Sequence, residues 1–188
     1  MMMKKDLKIF DIDETLFETT ALIRVVKDGS VVKTLSNSEY NTYELEDGED
    51  FDYSEFRNAE KFFNESKPIH DLLDEVRISL DSGDDVRIVT ARCDFDCKET
   101  FLNTFRKYNI DIDKIHVYRA GNMDNSIPPA VKKAIIIGGF LKSAKYRRVS
   151  LFDDSMSNLK EFMKLAKEFT QTRFEAKYVE HGIVSEVK

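Results

Sequence analysis

Asp11 and Asp13 stand two residues apart at the end of the short apolar run Leu7 to Phe10, and two neighbouring carboxylates can divide the work of a nucleophile and a proton carrier. Asp153 and Asp154 form a second acidic pair after Val149-Ser150-Leu151-Phe152. Between them in sequence lie Thr90 and Arg92, in Ile88-Val89-Thr90-Ala91-Arg92, and the adjacent Lys132 and Lys133. These are the parts that hydrolysis of a phosphate monoester requires. Such an ester is anionic and a poor electrophile, so a site must bring a placed nucleophile, neutralise charge and protonate the departing oxygen. Carboxylates repel it unless a cation intervenes. Mg²⁺ suits that place because it prefers oxygen ligands, keeps waters and needs only one or two carboxylates; Asp11, Asp153 and Asp154 fit as its ligands.

These groups act together only if the elements carrying them end at one place. The run before Asp11 reads as a first buried strand that delivers its loop at a sheet edge. Val86 to Val89, Ile115 to Tyr118 and Val149 to Phe152 read as further strands. They alternate with helical spacing at Ile69 to Leu80, Lys98 to Lys107, Ala130 to Leu141 and Asn158 to Lys167. Pro68 suits a first helical turn and Ser82-Gly83 a stop. The alternation at Phe174, Ala176, Tyr178 and Val184 predicts an edge strand or hairpin. This order implies an α/β fold, a parallel sheet with right-handed crossovers and helices on both faces. In such sheets ligands sit beyond the carboxyl ends of the strands, where all four polar clusters fall.

Residues 18–66 break the pattern. Arg24 to Val32 place two β-branched arms around Asp28-Gly29, a hairpin signal. An acidic, aromatic stretch follows, and the chain turns helical at Glu55 to Asn64. This reads as a small cap inserted after the first strand, with 1–17 and 67–188 as the catalytic core. Tyr40, Tyr43, Phe51, Tyr53 and Phe56 are able to stack on a base, or to form the cap's own core. Of the two lysines, Lys133 lies in register with Ile137 and Leu141 on an inward stripe, which favours it over Lys132. Ser155 and Asn158 fit the start of the last helix, where Asn158 could also support an acid from behind. Thr15 could cap a helix.

Asp11-Ile12-Asp13-Glu14-Thr15-Leu16-Phe17, Ile88 to Arg92, a lysine opening a helix and Leu151-Phe152-Asp153-Asp154-Ser155 resemble, in order, the four motifs of the haloacid dehalogenase (HAD) superfamily of hydrolases. The resemblance covers the chain outside the insertion and the C-terminal tail. It implies a Rossmannoid fold in which Asp11 attacks phosphorus and Asp13 protonates the leaving alkoxide, then activates water. It further implies that the Asp13 backbone carbonyl joins Asp11, Asp153 and Asp154 at Mg²⁺, that Thr90 holds a phosphoryl oxygen, and that a lysine balances charge. The acid at Asp13 disfavours hydrolytic dehalogenation.

Arg92-Cys93-Asp94-Phe95-Asp96, then Ile115 to Asn122, then the lysine helix follow an order similar to the phosphatase domain of phage polynucleotide kinase. The kinase P-loop is absent, and no acid stands at Pro128-Pro129. This likeness implies a nucleotide or a nucleic-acid 3′-phosphate as substrate, with Arg92 and Lys132 among the cations that bind it and Lys98 and Arg119 adding to the rim. A small phosphorylated metabolite is the other substrate class. A phosphotransferase and a catalytically idle binding module are the competing readings.

Composition limits the rest. At 188 residues and 41% hydrophobic content the chain can bury one good core and carry a small subdomain. Its 35 acids against 29 bases give a net charge of −6, without the general basic field of duplex binders. Neither a signal-peptide core nor a membrane span can be drawn, and no obligatory protein partner is implied. Cys93 and Cys97 are too few for a structural zinc site and fit a reducing cytoplasm. His70, His116 and His181 are too scattered for a metal cluster or a base. Lys142, Lys145, Arg147 and Arg148 precede the strand to Asp153 and therefore belong to the opposite sheet edge.

Overall fold

The chain opens with β1 (Asp6–Phe10), whose Leu7, Ile9 and Phe10 are all fully buried. Two apolar faces on one strand require a central place in a sheet. The computed structural model describes residues 5–40 and 42–187; residues 1–4, part of the segment in which no signal peptide is read, lie outside the described residues.

After β1 the chain forms β2 (Phe17–Glu18), then β3 (Ile23–Lys27) and β4 (Ser30–Leu35). Asp28 and Gly29 both take positive φ, 50° and 77°, as the tight turn between these hairpin strands demands. A one-turn α1 (Asn37–Tyr40), β5 (Glu49–Asp52), a 3₁₀ turn at Ser54–Arg57 and α2 (Ala59–Glu65) follow. β6 (Lys67–Pro68) returns to pair antiparallel with β2. The sheet β4-β3-β5 was not fully legible: β5 is an extra strand, and Pro68 lies in β6 rather than in a helical turn. Pairing explains both. Arg24 and Lys27 stand opposite Asp52 and Glu49, so an acidic segment of low strand propensity gains opposite-charge partners.

α3 (His70–Asp81) ends at Ser82, with Gly83 at φ 78°, the left-handed stop its sequence announces. Then come β7 (Asp85–Thr90), α4 (Lys98–Arg106), β8 (His116–Arg119), α5 (Pro129–Ser143), β9 (Arg148–Asp153), α6 (Met156–Lys164), β10 (Arg173–Glu180) and β11 (Ile183–Val187). The strand order is β8-β7-β1-β9-β10-β11, parallel except for the terminal hairpin. Leu7, Ile9 and Val89 pack with Ile137 of α5 and Leu159 of α6, while Phe10 and Ile88 pack with Leu73 of α3 and Phe101 of α4. The sheet is therefore covered on both faces. From β1 the chain moves first toward β7 and β8, then crosses to β9 and β10. That reversal opens a crevice at the carboxyl ends of β1 and β9, the usual ligand position in such a sheet.

Ala21, Ile23, Val25, Leu35 and Phe56 form a core inside the insertion, with Tyr40, Tyr43 and Phe51 packed on it. The aromatics considered for base stacking are thus mostly the insertion's own filling. Tyr53 is the exposed member, yet its hydroxyl and ring engage Tyr40. Ala59 and Phe62 of α2 instead join the main core beside Phe17, Phe95, Phe101 and Phe105. Arg147 and Arg148 clasp Asp6 at the start of β1, at the sheet edge away from the acids. Among the described residues no helix is long and apolar enough to cross a membrane.

Candidate active site

The turn after β1 sets the site. Ile12 O accepts from the amides of Thr15, Leu16 and Phe17, and Glu14 sits in the left-handed region at φ 58°. A non-glycine residue there costs of order 1 kcal/mol, which the three convergent hydrogen bonds offset. Glu14 is half-buried; burial pushes its carboxyl above the usual range, against the Thr19 amide that bonds it. Thr15 caps no helix: it is fully buried, and among the described residues its hydroxyl has no partner. The turn leaves Asp11 buried at the strand end and Asp13 partly open to solvent.

From α5, Lys133 reaches the same point. Its Nζ lies 3.0 Å from Asp11 Oδ1 and 2.8 Å from Asp153 Oδ2. Asp153, at 0% exposure, is held by further donors: the Ser155 amide at 2.9 Å and Asn158 Nδ2 at 2.9 and 3.1 Å from its two oxygens. Asn158 therefore supports an acid from behind, and Ser155 caps α6 by accepting from the Asn158 amide. Carboxylate oxygens of Asp11, Asp153 and Asp154 come within 4.8 Å of one another.

Three acids and one buried cation leave local negative charge in excess. Burial pushes Asp11 up to about 7 even though Lys133 pulls it down, with Asp153 and Asp13 adding to the rise. Burial also pushes Asp154 up to about 8, reinforced by Asp11 and Asp153. For Lys133 burial acts downward, but Asp11 and Asp153 outweigh it and hold the ammonium above its ordinary range. Among the described residues no further positive charge touches the three acids.

A divalent cation fits that lack. Asp11 Oδ1 is buried and, although at ion-pair distance from Lys133, takes no well-directed hydrogen bond. Asp153 has nearly filled its lone-pair sites, which makes Asp11 and Asp154 the better direct ligands and Asp153 their brace. Two carboxylates with waters meet the needs of magnesium.

The other nominated residues separate. Thr90 is fully buried at the end of β7, where its hydroxyl accepts from the Arg92 amide at 3.1 Å. Lys132 is buried and donates to Met123 O at 3.2 Å, whereas Lys133 is the lysine in contact with the acids. Arg92 is 4% exposed and engaged inside the fold: it holds Asp13 through Nε and Nη2, donates to Phe56 O at 2.8 Å, and lies among the rings of Phe56, Phe62 and Phe95. Its expected place on a substrate-facing rim is replaced by this clasp, because a guanidinium so desolvated must satisfy its donors internally. Lys98 is exposed, and Arg119 leans on Phe101 with Asp94 3.4 Å away. Thr19, which sequence reasoning passed over, donates to Asp13 Oδ1 at 2.9 Å. No periodicity or motif marks it; only the turn brings it there.

The loop carrying Arg92 is gripped from both sides. Asp96 accepts from the Ala59 amide, and Gly121 donates to Arg92 O at 3.2 Å. A Cβ on Gly121 would stand 2.5 Å from Ala91 O, so glycine is what lets the two loops touch. Cys93 and Cys97 are free thiols on this loop. No protein-family model matches the chain, and neither does any curated protein.

Proposed function

We propose that the protein is a magnesium-dependent phosphomonoesterase of the haloacid dehalogenase type. One observation carries this reading: three carboxylates and a buried lysine share a point at the sheet's switch crevice, with Asp13 on the same turn as Asp11. Asp11 is the nucleophile. Its carboxylate oxygen bonds to phosphorus as the ester P–O bond breaks, giving an aspartyl-phosphate, and the leaving oxygen takes a proton from Asp13. Water then attacks the aspartyl-phosphate while Asp13 takes that water's proton, and phosphate leaves. Lys133 stabilises the charge shared by Asp11 and the phosphoryl group, and Thr90 with neighbouring amides holds a phosphoryl oxygen. Asp11, Asp154 and the Asp13 backbone carbonyl, with Asp153 behind them, would hold Mg²⁺, which when bound would supply charge neutralisation for the incoming dianion.

The substrate proposal is a nucleotide or a nucleic-acid 3′-phosphate, supported by the order of motifs from Arg92 to the lysine helix. Two cations counted toward it, Arg92 and Lys132, are engaged within the fold, so small metabolites belong in the same test. Purified protein with Mg²⁺ should release phosphate from at least one member of a panel of aryl phosphates, 3′- and 5′-nucleotides, 3′-phosphorylated oligonucleotides and sugar phosphates. A folded protein that hydrolyses none of them is not a phosphatase. Tight binding without turnover would favour the idle binding module.

The metal reading has a consequence independent of turnover. Folded Asp11 and Asp154 sit near about 7 and about 8 against an ordinary 3.8. Across that interval the folded chain binds more protons than the unfolded one, so metal-free stability falls as pH rises. Magnesium competes with those protons. The rise in melting temperature on adding Mg²⁺ should therefore be larger at about pH 8 than at about pH 5, reaching about 4 °C or more, the equivalent of ~1–2 kcal/mol for a chain of this size. A magnesium effect equal at both pH values would contradict this placement.

A further inference from the structure

The two oxygens of Asp13 are treated differently by their surroundings. Oδ1 receives Arg92 Nη2 at 2.6 Å, Thr19 Oγ1 at 2.9 Å and a longer contact from Arg92 Nε at 3.2 Å. Oδ2 receives Arg92 Nε alone, at 2.9 Å. A carboxylate oxygen offers two lone-pair sites in its plane. Those on Oδ1 are filled, and one on Oδ2 is open.

Both donors are fastened elsewhere. Arg92 Nη1 is committed to Phe56 O at 2.8 Å, and its guanidinium is packed among three aromatic rings, two of them from residues 18–66. Thr19 is tied through its amide to Glu14 Oε1 at 3.1 Å, while its hydroxyl accepts from Asn37 Nδ2 at 3.3 Å. That second bond fixes the direction of the hydroxyl: with Asn37 donating to it, the Thr19 proton points at Asp13. The insertion thus holds both groups that hold Asp13.

Resting on the phosphatase reading above, we propose that Thr19 and Arg92 are positioning residues that reserve Oδ1 of Asp13 as an acceptor and route proton transfer through Oδ2. In the first step the Oδ2 proton passes to the leaving oxygen as that oxygen takes the electron pair of the broken P–O bond. In the second, Oδ2 recovers a proton from the attacking water as the water oxygen bonds to phosphorus and the bond from Asp11 to phosphorus breaks, returning Asp11 to a carboxylate and releasing phosphate. The insertion serves the reaction by aiming the acid, in addition to any contact it makes with substrate.

Dependence on the leaving group separates positioning from general support of the fold. A dinitrophenolate departs without a proton, whereas an alkoxide needs one. Release of the phenol or alcohol is measured in a single turnover, which isolates the first proton transfer, for dinitrophenyl phosphate and for an alkyl phosphate. Thr19→Val should slow the alkyl ester about tenfold or more and the dinitrophenyl ester less than about twofold. Thr19→Ser, which keeps the hydroxyl, should restore the alkyl rate. Arg92→Lys, which keeps the charge but cannot span both oxygens, should show the same selective loss if Thr19→Val does not fold. Equal slowing of both esters in an otherwise active protein overturns this inference alone. A wild-type protein inactive toward both overturns the phosphatase reading and this inference with it.

Discussion

On the proposed mechanism Asp11→Asn should lower phosphate release by about 10⁴-fold or more, because deletion of the proposed nucleophile removes the covalent route and leaves only binding and charge effects. Its effect on stability should have the opposite sign. Asp11 is buried beside Asp153 and Asp154, and burial with like charge holds its carboxyl up at about 7. An amide of the same shape removes one charge from that cluster, and Lys133 keeps Asp153 at 2.8 Å as its partner. The metal-free variant should melt at or above the wild-type temperature at about pH 8, by up to about 4 °C, while losing most of its response to Mg²⁺. Phosphate release by the variant at a rate close to wild type removes Asp11 as nucleophile. A variant that melts much lower would mean that the ionised carboxylate holds the fold together.

The second large effect concerns Lys133. Lys133→Met conserves length and removes the only cation in contact with buried Asp11 and Asp153 among the described residues. Breaking a buried pair by removing one partner typically costs ~3–5 kcal/mol, since the surviving charge is left without compensation. Lys132→Met loses one charge-assisted bond to a backbone carbonyl, which amounts to about 1.5–3 kcal/mol. Denaturant titration should therefore show the larger loss for Lys133→Met, by about 1–2 kcal/mol, although the substitutions are adjacent and chemically identical. Magnesium should recover part of the Lys133→Met loss by supplying positive charge near the same carboxylates. Equal destabilisation of the two variants would contradict this account.

That contrast shows what the sequence made legible. Lys133 could be preferred because Ile137 and Leu141 follow at the spacing of an inward stripe, a local property of one helix. The central strands were legible for a similar reason: an apolar run that ends in acids reports burial and edge position together. Arg92 was not. Its role depends on Asp13, 79 positions away, and on Phe56 O, 36 away, so nothing beside it in the chain distinguishes a clasp from a substrate ligand. Asn158 was legible as a support because it lies one turn into the helix that Asp153 precedes, whereas Thr19 depends on a backbone turn with a left-handed glutamate, which no pattern announces. For the aromatics of the insertion composition left open both stacking surfaces and a core of their own, and the second is what most of them form, because a subdomain this small needs its large side chains for its own interior.

The paired strands β2 and β6 have an implication for how such a molecule can change over generations. Phe17 stands opposite Pro68 in a two-residue ladder, so the chain leaves the main body and re-enters it about 5 Å away. Closing a loop between fixed neighbouring ends becomes more costly only slowly with its length. Material can therefore be added to or rebuilt within the hairpin sheet without disturbing the register of the large sheet. The tolerance stops at α2, whose Ala59 and Phe62 are interior to the main body. Lineages, or engineers, that exchange this module should find changes tolerated in the β3–β4 hairpin, and punished at Thr19, Asn37 and Phe56, whose contacts hold Asp13 and Arg92, as well as after Asn58.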